Sequence, residues 1–479
     1  MIDVYAFSGF PVAVFGLGRS GLATARALMK SNAEVWAWDD NEDVRARARE
    51  EGIPLVDLYL CNWKELTTLV LSPGIPLHHP EPHPIVRLAK AANVEVIGDI
   101  ELLGRSQVNA AYIGITGTNG KSTTTALIGH ILTTAGRTAE VGGNFGRPAL
   151  DLDPLDVEET YVLEMSSYQL ELTLSITFDV GVLLNISADH LDRHGGLEGY
   201  IAAKKLIFHR QTNPRTAVIG VDDRHCEEIY RELKEIGDQI IIPISGKKRV
   251  HGGVYVVDGT LYDDTEGHEQ AIINLAAVAA LPGEHNWQNA AAAYAACKAV
   301  GVQSNVIMAC INSYPGLVHR QELIAIIDGV RYVNDSKATN PDAAAKALAC
   351  YEDIYWIAGG RPKEGGLDAL APYFGGIRHA FLIGEAAPAF KAEMGDLVTT
   401  TISGDLETAV AQAHAMVRAE KPRNGVVLLS PACASFDQFA NFEARGDAFR
   451  DLVEALPGER TDPEEVSVAP KGSGSFRSR

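Results

Sequence analysis

Short apolar runs recur along the chain, and each ends in a polar or Gly-rich loop. Pro11–Phe15, Glu34–Trp38, Thr68–Leu71 and Val94–Ile97 form a first series, and Ala111–Thr116, Tyr161–Leu163 and Val180–Leu184 a second. A third comprises Val330–Val333, Ile354–Ile357, Ala380–Ile383 and Val426–Leu429. Helix-period segments separate the runs. This strand–loop–helix alternation predicts an α/β protein with parallel sheets, because parallel neighbours need a crossover. Three series predict three domains, over residues 1–107, 108–318 and 319–458. Between 211 and 272 the rhythm blurs around turn signals such as His251-Gly252-Gly253 and Asp258-Gly259, which reads as a more β-rich part of the middle domain. Residues 459–479 carry no periodicity and are expected to form a disordered tail.

Composition agrees and narrows the chemistry. At about 150 residues per domain, 479 residues make about three domains. The chain carries 62 Asp+Glu against 42 Lys+Arg, a net charge of −20, which disfavours broad binding to nucleic acid or to an anionic membrane surface. An anionic substrate would have to be held by local cations and metal ions. No apolar run approaches the ~18–20 residues of a membrane span; the longest, Ala271–Leu281, contains Asn274 and stops at Pro282. The N-terminus lacks a signal-peptide layout, with Asp3 where that layout wants a positive charge. Six cysteines (61, 226, 297, 310, 350 and 433) form no C-x-x-C pair, which fits a reducing compartment. A cytoplasmic protein with no membrane insertion is expected.

Two loops carry phosphate-binding patterns. Gly16-Leu17-Gly18-Arg19-Ser20-Gly21 follows a strand and opens a helix, with Asp39 and Asp40 closing the next strand. That is a dinucleotide fingerprint: tight turn, phosphate at the helix N-terminus, acid on the ribose. Its first reading is a nicotinamide enzyme, its bland one a tight turn without ligand. The second loop, Gly117-Thr118-Asn119-Gly120-Lys121-Ser122-Thr123, joins the strand Ile113–Thr116 to a helix over Thr124–Thr134. Its amides can wrap phosphates, Lys121 can reach their outer oxygens, and Ser122 can ligate Mg²⁺. The full P-loop pattern wants Gly five positions before Gly120, where Ile115 stands. ATP handling is still the reading, and a dehydrogenase leaves this loop idle.

Other candidates lie at strand ends, where open α/β sheets place ligands. Glu164 closes the run Tyr161–Leu163 and offers oxygen to a hard cation. Asp189-His190-Leu191-Asp192-Arg193-His194 holds several possible ligands. Asn286 reads as the N-cap of an Ala-rich helix. In the last third, Asn334–Asn340, Gly359–Lys363 and Ser430–Ser435 are polar loops on one predicted rim. Cys433 reads as a packed cysteine, since nothing in the sequence activates it.

In this order the motifs resemble the Mur ligases of peptidoglycan synthesis over residues 8–455. Gly117–Thr123, His285-Asn286-x-x-Asn289, His319-Arg320 and Asn334-Asp335-Ser336-Lys337 match the family at large. Gly16-Leu17-Gly18, Ser72–Ile75, Gly142-Gly143-Asn144, Leu163–Gln169, Ser336–Asn340, Ser430–Ser435 and Asp437–Phe442 resemble the members that add D-glutamate. The resemblance implies a Rossmann-like N-terminal domain, a central P-loop ATPase-type domain and a Rossmann-like C-terminal domain that binds the amino acid. It implies an ATP-dependent, ADP-forming ligase, acting as a monomer, that joins UDP-N-acetylmuramoyl-L-alanine to D-glutamate through an acyl phosphate.

It also reassigns the first loop to the uridine nucleotide. Gly18, Arg19, Ser20, Asp39, Asp40 and Ser72 would hold the UDP end, with Asn144 and Ser166 nearer the sugar. Gly117, Thr118, Asn119, Gly120, Lys121, Ser122 and Thr123 would hold ATP, together with Asn286, Asn289, Arg320 and Asp335. Ser122 and Glu164 would serve one Mg²⁺ and His190 a second. Lys204 matches the lysine that the family carbamoylates with CO₂, which turns a cation into an anion that supports Mg²⁺. Lys121, Glu164, His190 and Lys204 are thus the implied catalytic set. Lys337, Thr339, Lys363, Ser435 and Phe442 would hold D-glutamate. The pattern departs at Arg361, where relatives often carry Asp. Another Mur ligase, or a folylpolyglutamate synthase, would share the ATP motifs but lack the Ser430–Ser435 stretch; a nicotinamide-dependent dehydrogenase is the alternative from another class.

Overall fold

The computed structural model describes residues 1–362, 366–422 and 424–461. The described residues form twenty strands in three sheets, one from each series of apolar runs. In the first, β1 (Pro11–Phe15), β2 (Glu34–Trp38), β3 (Thr68–Leu71) and β4 (Glu95–Ile97) lie in the order β2-β1-β3-β4, all parallel. The second has nine strands. Five form a parallel run ending at one edge: β5 (Ala111–Thr116), β6 (Ala139–Gly143), β7 (Thr160–Glu164), β8 (Val180–Leu183) and β9 (Thr216–Gly220), with β6 outermost. The blurred stretch supplies β10 (Ile240–Ser245), β11 (Val254–Val257), β12 (Thr260–Asp263) and β13 (Gln270–Asn274), giving the order β13-β12-β11-β10-β9-β8-β5-β7-β6. Here Asp258 and Gly259, with φ of 49° and 77°, make a two-residue turn of the kind that matches strand twist. It folds β12 antiparallel onto β11.

The third sheet contains β14 (Glu322–Ile327), β15 (Val330–Asn334), β16 (Ile354–Gly359), β17 (Ile377–Ile383), β18 (Thr400–Gly404), β19 (Val426–Leu429) and β20 (Arg460–Thr461), in the order β18-β17-β16-β19-β15-β14-β20. Only β14 runs antiparallel to its neighbours β15 and β20 in the registers seen, while β15, β19, β16, β17 and β18 are parallel.

The chain divides into two compact units, residues 1–273 with 286–313, and residues 274–285 with the chain from Tyr314 onward. The first two sheets share a unit for a physical reason. One apolar cluster runs from Val12, Val14 and Val70 of the first sheet through Leu150 to Tyr161 and Leu163 of the second. Buried polar ties reinforce it: Glu101, fully buried, accepts from the amides of Leu174 and Ser175 at 2.7 and 2.9 Å and from the Ser175 hydroxyl at 2.6 Å. β5 sits mid-sheet, and a Cβ on Gly114 would lie 2.6 Å from the Phe178 ring and 2.7 Å from Ile207, so packing demands glycine there. Among the described residues no helix is long and apolar enough to cross a membrane.

Candidate active site

β5 delivers the chain into the loop Gly117–Gly120, and the helix Lys121–Thr134 starts beyond it. The helix begins three residues earlier than the apolar pattern indicates, because Gly120 caps it in the left-handed region at φ 88°. A Cβ there would lie 2.2 Å from Asn289 Oδ1. The loop is braced from outside. The Asn119 amide donates to Asn185 Oδ1 at 2.9 Å, and Asn185 Nδ2 donates back to Asn119 O at 3.1 Å. Asn185 also bonds Gln288 Oε1 at 3.3 Å, and Gln288 in turn bonds Asp222 at 3.2 Å. Thr118 Oγ1 lies 3.2 Å from the Tyr200 hydroxyl. The Asn286 N-cap reading is overturned. The helix starts at Glu284, so Asn286 falls in its first turn, buried, where its Oδ1 accepts from Asn289 Nδ2 at 3.2 Å.

Two ammonium groups meet at one carbonyl. Lys121 Nζ donates to Gly117 O at 2.9 Å and Thr118 O at 3.0 Å, and Lys204 Nζ donates to the same Gly117 O at 2.9 Å. Lys204 is 2% exposed, at the last turn of the helix Leu197–Lys205, with its Nζ 4.6 Å from the centre of the Tyr200 ring. Burial, reinforced by Lys121, pulls its pKa down to about 7. A substantial fraction of neutral amine is therefore present at physiological pH, and neutral amine is the form that reacts with CO₂.

Glu164 ends β7 beside β5 and is 3% exposed. Asn144 Nδ2 donates to its Oε1 at 2.7 Å, while its Oε2 is buried with no hydrogen-bond partner among the described residues. A bare anionic oxygen in that position suits a divalent cation. Ser122, also buried, opens the neighbouring helix with a hydroxyl to offer. Among the described residues no group of three or more His, Cys, Asp or Glu gathers as a metal cage; Mg²⁺ commonly takes only one or two carboxylates beside phosphate oxygens and water. His190 is half-exposed, sits in the left-handed region at φ 50°, and has Nε2 3.5 Å from Asp189.

In the first sheet's loop the three glycines have different duties. Gly16 has φ 89°, and a Cβ on Gly21 would sit 1.8 Å from Gly16 O, yet a Cβ on Gly18 would meet nothing within 4 Å. Space is thus left in front of the helix Arg19–Lys30, which starts immediately after Gly18. Asp39 accepts from the Leu17 amide at 2.7 Å and the Asn41 amide at 2.9 Å, holding the loop. Asp40 takes the Tyr59 hydroxyl at 2.9 Å. Arg19 donates to Gly146 O at 2.6 Å, beside Asn144, and Ser166 forms a capping box with Gln169 on the helix Ser167–Glu171. A small recess behind the loop is lined by Ser20, Gly21, Thr24, Ser72 and Asp99.

In the second unit Arg320 lies between His319 and Gln321, both left-handed at φ 61° and 46°. Such strain in non-glycine residues persists only where its surroundings impose it. Asp335, buried, accepts from the Gln321 amide at 3.2 Å and the Ser430 hydroxyl at 2.8 Å, and burial lifts its pKa to about 7. Lys337 Nζ lies 4.6 Å from the centre of the Phe442 ring. The Thr339 amide donates to Lys337 O at 2.8 Å, and Ser435 is buried. Lys363 and the tail from residue 462 lie outside the described residues.

Two family models match the chain, the Mur ligase middle domain over residues 115–297 and the Mur ligase glutamate ligase domain over 319–433. A UDP-N-acetylmuramoylalanine–D-glutamate ligase of Rhodospirillum rubrum is 50% identical over 465 residues, covering 96% of this chain and 98% of its own length. One from a Caulobacter species is 52% identical over 463 residues, covering 95% and 98%. The chain belongs to the Mur ligase family. It is an ATP-dependent amide ligase of that family. UDP-N-acetylmuramate-alanine ligase from Thermotoga maritima shares the fold at TM-score 0.56 and 17% identity, over 93% of this chain and 99% of that one.

Two residues, Asn185 and Arg445, escaped the sequence reading of this ligase, and a third, His194, was read there only as a possible ligand. Asn185 braces the phosphate loop from a strand end that carries no motif of its own. His194 is buried against Tyr168 and Tyr200, with Nε2 2.9 Å from Ser167 Oγ, and burial lowers its pKa to about 4. Arg445 looks in sequence like a solvent-facing helix charge but is 1% exposed. The one hint was Gly446 beside it, a mark of close packing inside a helix.

Proposed function

We propose that this chain joins the L-alanyl carboxylate of UDP-N-acetylmuramoyl-L-alanine to the amine of D-glutamate. In this reading the carboxylate takes the γ-phosphoryl group of ATP, forming an acyl phosphate and ADP. The amine then attacks the acyl carbon, and the tetrahedral adduct expels inorganic phosphate to leave the amide. The observation that carries the reading is Lys121 at the phosphate loop, with Lys204 buried against the same loop carbonyl and the bare Glu164 oxygen on the adjacent strand. Lys121 gives the loop a cation and Glu164 a carboxylate for a metal ion, both of which stabilise charge in phosphoryl transfer.

Lys121 neutralises phosphoryl oxygens, and Gly117–Thr123 presents amides to them. Asn286 and Asn289 face the adenine, Arg320 serves the phosphates and Asp335 the ribose. Glu164 and Ser122 would hold Mg²⁺, with His190 and Lys204 supporting a second ion; the ions supply positive charge to the transferring phosphoryl group. Lys204 serves as a carbamate: its neutral nitrogen bonds the carbon of CO₂, a proton leaves to solvent, and the product is an anion. Gly18, Arg19, Ser20, Asp39, Asp40 and Ser72 take the UDP end, and Asn144 and Ser166 the sugar side. Lys337, Thr339, Lys363, Ser435 and Phe442 take D-glutamate. The reaction is that of cytoplasmic cell-wall precursor synthesis, carried out by a monomer of three domains over 1–107, 108–318 and 319–458.

The test supplies ATP, Mg²⁺ and UDP-N-acetylmuramoyl-L-alanine and compares phosphate release with D-glutamate, L-glutamate and L-lysine. Release confined to D-glutamate is expected. Release that ignores the amino acid, or that survives Lys121→Ala, sinks the proposal.

A further inference from the structure

The loops after β15, β16 and β19 lie side by side at the carboxyl ends of parallel strands, and one side chain joins them. Arg445, in the first turn of the helix Phe442–Glu454, is buried. Its Nε donates to Ser336 Oγ at 3.0 Å, and one terminal nitrogen donates to Ser336 O at 2.8 Å and to Cys433 O at 3.1 Å. The other donates to Cys433 O at 3.2 Å. Ser336 Oγ donates onward to Phe442 O at 2.8 Å, closing the first loop onto the same helix. Arg361 and Ala434 exchange backbone bonds at 2.9 and 3.1 Å, and a Cβ on Gly360 would sit 3.2 Å from the Arg445 guanidinium. The third loop is thereby held against the second.

Among the described residues no carboxylate pairs with this guanidinium. Burial lowers its pKa only to about 10, so it remains a cation at neutral pH. A buried cation satisfied by carbonyls and one hydroxyl is costly, and a chain needing only packing would do better with an apolar residue. Its partners sit next to residues assigned to the amino acid. Ser336 precedes Lys337, Cys433 lies two residues before Ser435, and Phe442, whose carbonyl Ser336 holds, carries the ring that Lys337 covers.

We infer that Arg445 is the positioning residue of the amino-acid pocket, splinting the loops that carry Lys337, Thr339 and Ser435 and placing a positive charge behind them for an incoming dicarboxylate. This rests on the ligase reading above. It acts through those loops and does not touch the substrate.

The experiment measures kcat and KM for D-glutamate, ATP and the UDP substrate in the wild type and in Arg445→Lys, Arg445→Met and Ser336→Ala, with thermal unfolding of each. Losing one hydrogen bond to a charged group corresponds to about tenfold to hundredfold in binding. Lysine keeps the charge but cannot span both loops, so KM for D-glutamate is expected to rise about tenfold. Methionine removes both ties and the charge, and about a hundredfold is expected. Ser336→Ala is expected to give about threefold to tenfold. KM for ATP and for the UDP substrate should stay within about twofold in every variant. If Arg445→Met fails to fold, the other two decide. An unchanged KM for D-glutamate in Arg445→Lys and Ser336→Ala, or an equal rise for all three substrates, overturns the inference. A wild type that needs no D-glutamate instead overturns the ligase reading.

Discussion

Replacing Lys204 with methionine is expected to stabilise the protein while abolishing ligation. The fall in pKa from the ordinary 10.5 to about 7, at 1.36 kcal/mol per tenfold step, caps the cost of the buried ammonium at about 5 kcal/mol. Methionine has similar length and no charge. It forfeits the hydrogen bond to Gly117 O, which offsets roughly 1–2 kcal/mol. A net gain of at most about 3–4 kcal/mol at neutral pH is left. The sign follows from proton binding. An unfolded lysine keeps its proton up to about 10.5, whereas the folded one releases it through about 7. Between those values the unfolded state binds more protons, so wild-type stability rises with pH. The advantage of methionine should therefore be largest near neutrality and shrink toward about pH 10. The assay is urea unfolding of both proteins across that window in CO₂-stripped buffer, so that the amine is not carbamoylated. Activity of the wild type should fall on stripping and return with bicarbonate, with no such response in the variant. A methionine variant less stable than wild type by a margin that does not change with pH would refute the reasoning.

Gly120→Ala places a methyl group in the left-handed region, at roughly 1–2 kcal/mol, and drives it against Asn289 Oδ1; ATP binding by calorimetry should weaken about tenfold or more while the fold persists. Gly18→Ala and Gly21→Ala should separate binding from folding. The first points into open space and should leave the unfolding temperature unchanged while weakening UDP binding, whereas the second collides with Gly16 O at 1.8 Å and should cost about 3 kcal/mol. Glu164→Gln can keep the Asn144 bond through its carbonyl oxygen but loses the bare anionic oxygen. Its phosphate release should fall about a hundredfold at low Mg²⁺ and recover in part as Mg²⁺ is raised; a variant with the wild-type Mg²⁺ dependence would remove Glu164 from the metal site.

The strands were largely legible in the chain. Pro11–Phe15, Glu34–Trp38, Thr68–Leu71, Ala111–Thr116 and Val426–Leu429 are strands at the bounds the apolar pattern predicts. Thr68–Leu71 and Val426–Leu429 carry no charged side chain because they are buried on both faces of a parallel sheet, whereas the edge strand Glu34–Trp38 buries alternate positions. Helix ends were less legible. Lys121–Thr134 and Glu284–Ala299 both begin earlier than the apolar pattern, since a glycine in a left-handed turn can start a helix before its first buried side chain. The stretch from 211 to 272 was ambiguous because β12 and β13 alternate or face solvent on an edge.

For the site, the division falls between residue type and residue environment. Local order alone determined which side chains could handle phosphates: glycines, a lysine and hydroxyls at a strand-to-helix turn are specific because backbone geometry there is set within a few residues. Only the tertiary structure decided what each group is chemically. Lys204 and Lys121 are far apart in sequence, yet they meet on Gly117 O and one loses much of its basicity. Glu164 keeps a bare oxygen because Asn144, from another strand end, satisfies the other. Arg445 turns inward to collect loops separated by roughly a hundred residues of chain. Charge state, desolvation and unpaired atoms depend on neighbours brought together across long separations, and those neighbours exist only after the sheets have formed.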